Sequence, residues 1–172
     1  MMRKPLHCIF AGLLLGLALS PAAWAQVNAD EPDWKELTVP PPPAFDLGKL
    51  VTFEVSSGSS LVYGVDPASI TISNGDGIVR YVMVASSATG ARNVMYEGLR
   101  CATGEFKTYA RYSPDGGWKT VGEPEWRSLF GNMPSRHALR FARAGGCDNN
   151  TVPQSVDELV RRLKKPNFMM EN

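Results

Sequence analysis

Gly77–Ser86 (GIVRYVMVAS), Arg92–Ala102 (RNVMYEGLRCA) and Glu105–Tyr112 (EFKTYARY) decide how this chain folds. An Ala-Thr-Gly turn at 88–90 separates the first two, and Thr103-Gly104 separates the last two. The three read as consecutive strands of a meander. The first is apolar on both faces, with Val79, Tyr81 and Met83 against Ile78, Val82 and Val84, and only Arg80 breaks the run. Such a strand belongs in the middle of a sheet covered on both sides. The third alternates, Phe106, Thr108, Ala110 and Tyr112 against Glu105, Lys107, Tyr109 and Arg111, which predicts one wet face. In the middle strand Glu97 shares a face with Met95, Leu99 and Cys101, while Arg100 shares the other with Val94 and Tyr96. A charge on a buried face must be paired. The expected partner of Glu97 is Arg80 or Arg111, across the sheet.

Upstream of the meander, Val51, Phe53 and Val55 alternate with polar residues as a half-buried strand. Leu61–Val65, stopped by Asp66-Pro67, and Ser69–Ser73 are two short strands. Asn74-Gly75-Asp76-Gly77 is a hairpin turn, because Asn, Asp and Gly tolerate positive φ. Downstream, Ser113–Gly117 turns the chain into a strand at Trp118–Val121. The pattern then becomes helical. Ser135 caps an expected helix over Arg136–Ala144 that ends at Gly145-Gly146. Ser155 and Glu158 form a capping box for a last helix with Val156, Leu159, Val160 and Leu163 on its apolar stripe, stopped by Pro166. Its terminal Arg161, Arg162, Lys164 and Lys165 suit the helix dipole and read as a solvated helix end.

Strands first and helices last make this an α+β chain. The expected fold is an antiparallel sheet of about five to six strands with C-terminal helices packed on one face. Met1–Ala25 reads as a secretory signal peptide: Arg3 and Lys4, a short apolar core at Ile9–Leu19, and the small-residue site Ala23-Trp24-Ala25. That core is shorter than the roughly 20 residues a spanning helix needs, so no transmembrane anchor is expected after processing. Gln26–Lys49 is an extended, proline-rich approach segment, with Trp34 as an anchor and Pro40–Pro43 favouring polyproline II. The single domain is expected over 50–166, with a tail at 167–172.

Cleavage after Ala25 leaves 147 of the 172 residues. It also removes Arg3 and Lys4 from 18 basic residues, leaving 16 against 17 acidic ones. A near-neutral chain with no basic stripe is a poor partner for nucleic acid. Cys8 and His7 are lost, leaving Cys101, Cys147 and His137. Two cysteines in an oxidising compartment read as a disulfide. With one histidine they are too few for a structural zinc site, and there is no Cys-x-x-Cys. No metal or cofactor set emerges. His137 reads as a surface or partly packed histidine, since no sequence signal places a nucleophile beside it. The candidate structural or ligand-facing residues are Arg80, Tyr96, Glu97, Arg100 and Trp118.

Val65-Asp66-Pro67-Ala68-Ser69-Ile70, Gly77-Ile78-Val79-Arg80-Tyr81, Asn93–Cys101, Lys107-Thr108-Tyr109-Ala110, Trp118 and Trp126 together resemble the family named after the cryptic neisserial protein. The resemblance runs from about Trp34 to Cys147, and Tyr-Glu-Gly-Leu-Arg-Cys at 96–101 is its most specific part. It implies a secreted envelope protein of a Gram-negative bacterium with no assigned activity. More loosely, the order of strands, cysteines and tryptophan resembles the surface adhesin protein E family, from which no binding residue transfers. The expected role is a periplasmic or envelope-associated, non-catalytic module that binds another envelope component. Two alternatives are an envelope hydrolase using carboxylates such as Asp66 and Glu97, and a surface-exposed adhesin.

Overall fold

The computed structural model describes residues 34–165. The expected signal segment, the first residues of the approach segment, Pro166 and the tail lie outside them. Among the described residues eight strands form one antiparallel sheet: β1 (Val51–Phe53), β2 (Leu61–Val65), β3 (Thr71–Ser73), β4 (Ile78–Ser87), β5 (Arg92–Arg100), β6 (Glu105–Ser113), β7 (Gly117–Thr120) and β8 (Arg127–Ser128). The main path is β1-β2-β4-β5-β6-β7; with β3, which pairs with β4 off this path, these are the strands read from the pattern. β3 lies beside the first half of β4, where Thr71 faces Arg80, and β2 beside its second half. β8 and β7 likewise share the outer edge of β6. At two residues, β8 is too short for any periodicity to announce it.

The alternation read in β6 is broken. Tyr96 pairs with Ala110 but Glu97 pairs with Thr108, so Tyr109 is the extra residue of a β-bulge. Phe106 and Thr108 therefore face one side of the sheet with Leu99 and Glu97, while Ala110 and Tyr112 face the other with Tyr96 and Val94. Gly98 makes room for this, since a Cβ there would collide with the Tyr109 ring.

The first face is the larger core. Val79, Tyr81, Met83, Met95, Leu99 and Phe106 pack there against the C-terminal helices. Those helices are α1 (His137–Phe141), which runs into a π-type turn at Ala142–Gly146, and α2 (Val156–Leu163). The single helix expected over Arg136–Ala144 is thus one short turn followed by a wider one. Gly145, at φ 134°, closes it and lies where a Cβ would come within 2.6 Å of the Arg162 Cβ. In α2 the Ser155 hydroxyl accepts from the Glu158 N–H at 3.2 Å, as a capping residue should. Arg162 is not a free helix-end charge: it bonds Glu158 at 2.6 Å and Asp148 at 3.2 Å. Cys101 and Cys147 are joined by a disulfide, which ties the end of β5 to the turn after α1.

The second face is covered by the approach segment, whose described residues pack on the sheet ahead of Leu50. Val39, Phe45 and Leu50 pack against Val82, Val84, Val94 and Tyr96. Trp34 donates its indole N–H to the Asp76 carbonyl and lies under the Arg100 guanidinium, 3.7 Å from the ring centre. Glu36 accepts from Lys107 Nζ at 2.6 Å and from the Tyr109 hydroxyl. Asp76 accepts from the Leu37 N–H and from Arg80 at 2.7 Å. Burial alone would raise both carboxyls, but their cationic and hydrogen-bonding partners outweigh it and hold them below their ordinary range.

That arrangement sets a pH window. Carboxyls lowered in the fold stabilise it above their unfolded values of 4.5 and 3.8, and the contribution is lost as pH falls through the lowered values. Acidification below about pH 4 should therefore release the arm before the helical face opens. Trp34 fluorescence and far-ultraviolet dichroism would then change at different pH values. A single coincident transition would show the arm is not a separate element. Among the described residues no helix is long and apolar enough to cross a membrane.

Candidate functional site

The first face is not filled along its whole length. Beside the first residue of α1, a hollow of about 440 Å³ opens over β2, β4, β5 and β6. Its floor is made of side chains that the register sends to that face: Tyr63, Ala85, Met95, Glu97, Phe106, Thr108 and Arg111. The chain between β7 and β8, with Val121, Glu123, Pro124 and Glu125, forms one wall, and Met133–Ser135 with His137 forms the opposite one. Glu123, Glu125, Arg111 and Arg127 are exposed, so the hollow opens to solvent at a charged rim.

At the bottom lies a chain of hydrogen bonds. Glu97 is fully buried, and both of its oxygens are 3.0 Å from His137 Nε2. Thr108 donates its hydroxyl to the same carboxylate at 3.2 Å. On the other side of the ring, His137 Nδ1 is 3.0 Å from the Ser135 hydroxyl, which also accepts from the His137 backbone N–H and lies 3.2 Å from the Tyr63 hydroxyl. The Tyr63 and His137 rings are stacked at 4°. A nitrogen placed between two carboxylate oxygens must carry a proton, so Nε2–H donates to Glu97. Burial by itself would push the imidazole down, but the charge and hydrogen bond of Glu97 outweigh it and raise His137 above its ordinary value of 6.5. The buried Tyr81 phenol lies beside the same carboxylate, and desolvation with that charge holds it well above the usual tyrosine range.

Two readings of the sequence are corrected here. His137 is 6 % exposed and paired, so it is not a surface histidine. Glu97 meets neither arginine. Arg80 is opposite Gly98 on the other face of the sheet, bonded to Asp76, and Arg111 shares the hollow but bonds Asn93. Among the five candidate residues only Glu97 lines the hollow. Tyr96 and Trp118 pack under the arm with Phe45 and Tyr112, and Arg100 stacks on Trp34 and pairs with Glu105. Asp66, named with Glu97 as a hydrolytic pair, does not line the hollow; it caps the turn at Pro67–Ser69 and accepts from the Asp46 N–H.

A second hollow, about 660 Å³, lies beside the disulfide and is edged by Leu129, the exposed Phe130, Arg143 and Arg162. It holds no buried titratable pair. Among the described residues no three His, Cys, Asp or Glu side chains form a group that could hold a metal ion. No curated protein and no solved structure matches the chain. The model of the CNP1-like family matches residues 29–164, from the arm through the last turn of α2, and the chain belongs to that family.

Proposed function

We propose that the protein is an exported envelope component that binds a small ligand in the hollow above Glu97 and His137. The observation that carries this is a buried, paired imidazole at the bottom of an open cavity with both apolar and polar lining. Concave sites with a few convergent polar groups on apolar walls are where small ligands bind, and perturbed titratable groups gather there. Met95, Phe106 and Met133 supply apolar walls, while Ser135, Tyr63 and Arg111 supply groups that can orient a polar head. The volume is at the lower end of ligand pockets, which suits a small molecule better than a polymer. In the envelope, another component would deliver or receive that ligand.

A fragment library of small carboxylic acids, amines and neutral esters, followed by amide and methyl NMR shifts on the purified protein, tests this reading. Shifts should gather on Tyr63, Met95, Thr108, Met133 and His137. Fragments that perturb only the Phe130 hollow, or nothing, would refute it.

A further inference from the structure

We propose that Ser135, His137 and Glu97 are nucleophile, base and orienting carboxylate of an acyl-transfer site acting on small esters. This rests on the hollow being the ligand site and adds a reaction to it. The three roles of such a site are recognised by geometry, not by sequence position or chain order. Glu97 fixes the proton on Nε2, which leaves the Nδ1 lone pair of the neutral ring free. The Ser135 hydroxyl is 3.0 Å from that lone pair, within reach for proton transfer. Compared with the usual arrangement the two ring nitrogens have exchanged roles. The chemistry allows this, because a base needs one bare nitrogen and one anchored nitrogen, whichever is which. Ser135 is only half-buried and lines the hollow, so its oxygen can be reached.

The geometry at Ser135 favours a nucleophile in a second way. Its oxygen also lies 3.3 Å from the His137 backbone N–H and 3.2 Å from the Tyr63 hydroxyl. In the free enzyme these donors orient Oγ. As the carbonyl carbon of an ester approaches, the Tyr63 hydroxyl, 3.2 Å from Oγ, would serve as a donor to the developing oxyanion. Met95, Phe106 and Met133 form an apolar wall for a short acyl chain.

The steps balance without any cofactor. Oγ attacks the ester carbonyl carbon as its proton passes to Nδ1, and the buried Glu97 carboxylate stabilises the imidazolium. Collapse of the tetrahedral adduct breaks the acyl carbon–oxygen bond, and the Nδ1 proton leaves with the alcohol. Water then gives a proton to Nδ1 and attacks the acyl-serine. Collapse returns that proton to Oγ and releases the acid, so the net change is ester plus water to acid plus alcohol.

The test uses an alkyl fluorophosphonate and p-nitrophenyl butyrate on the folded, oxidised protein. One phosphonyl group should add per chain, mapping to Ser135, and ester hydrolysis should rise with pH as His137 loses its proton. Ser135→Ala removes only a half-buried hydroxyl and should melt within a few degrees of the wild type. It should nevertheless lose the label and at least about 100-fold of the hydrolysis. Glu97→Gln should shift the pH profile to lower pH. An unlabelled protein whose slow hydrolysis is the same in Ser135→Ala overturns the proposal. If library fragments still shift the hollow's resonances, that failure belongs to the reaction alone; if they do not, the ligand site fails with it.

Discussion

Glu97→Ala should destabilise the protein by about 3–5 kcal/mol, the range for removing one partner of a buried ion pair. The loss has several sources, all on the same carboxylate. The buried His137 Nε2–H and the half-buried Thr108 hydroxyl lose their acceptor at the bottom of the hollow. An orphaned buried donor costs more than its bond contributed. Glu97→Gln should be milder, since an amide oxygen still accepts from Nε2–H. It removes the charge, however, and His137 should then titrate lower. The remaining groups facing the ring are Arg111, which opposes its protonation, and the Tyr63 and Ser135 hydroxyls.

The direction of the pH dependence follows. His137 is raised in the fold, so its contribution is fully present below the unfolded value of about 6.5 and is lost as pH rises through the folded value. The stability difference between wild type and Glu97→Gln, taken from urea titrations, should be largest on the acid side of 6.5 and shrink above it. A difference of under about 1 kcal/mol at every pH would mean that Glu97 and His137 are not coupled.

Opening the disulfide should cost about 4 kcal/mol in the chain-entropy model, since the bridged residues are 46 apart in sequence. The bridge fixes the turn after α1 to the end of β5, and so fixes the helix that carries His137 over the sheet that carries Glu97. Cys101→Ser with Cys147→Ser should therefore lower the urea midpoint and loosen the hollow together. Under the proposed export, protein recovered from the envelope should have an intact mass that starts at Gln26 and is two hydrogens short of the reduced chain. Free thiols in that material, or a loss under about 1 kcal/mol in the double variant, would contradict this.

The fold was legible where the determinants are local. Two-residue alternation, the Asn-Gly-Asp-Gly turn and the Ser155–Glu158 capping box each act within a few residues. The bulge was not, because the string around Tyr109 alternates without a flaw; what breaks it is the match to β5 and the space above Gly98. The arm's proline run announced an extended chain but not its resting place, which Glu36 finds through Lys107 and Tyr109, more than 70 residues away.

The site was less legible. Its contacts join residues 40 and 72 positions apart, and no periodicity reports those. Ser135 reads locally as a helix cap, but the cap position of α1 is Arg136, and the Ser135 hydroxyl accepts instead from the His137 N–H two residues on. One signal was present. Glu97 stands among Met95, Leu99 and Cys101 on a face bound to be buried, so it needed a partner from outside the sheet once the arginines were placed elsewhere. Outside the expected signal segment, His137 is the chain's only imidazole.

The most direct measurement is a pH titration of the His137 ring by proton–nitrogen NMR on the chain from Gln26, with His137→Gln used to confirm the assignment. Pairing with Glu97 predicts a slowly exchanging Nε2–H and a midpoint above 6.5 that falls in Glu97→Gln. A midpoint at or below 6.5, unchanged by that substitution and with both ring protons exchanging freely, would contradict it.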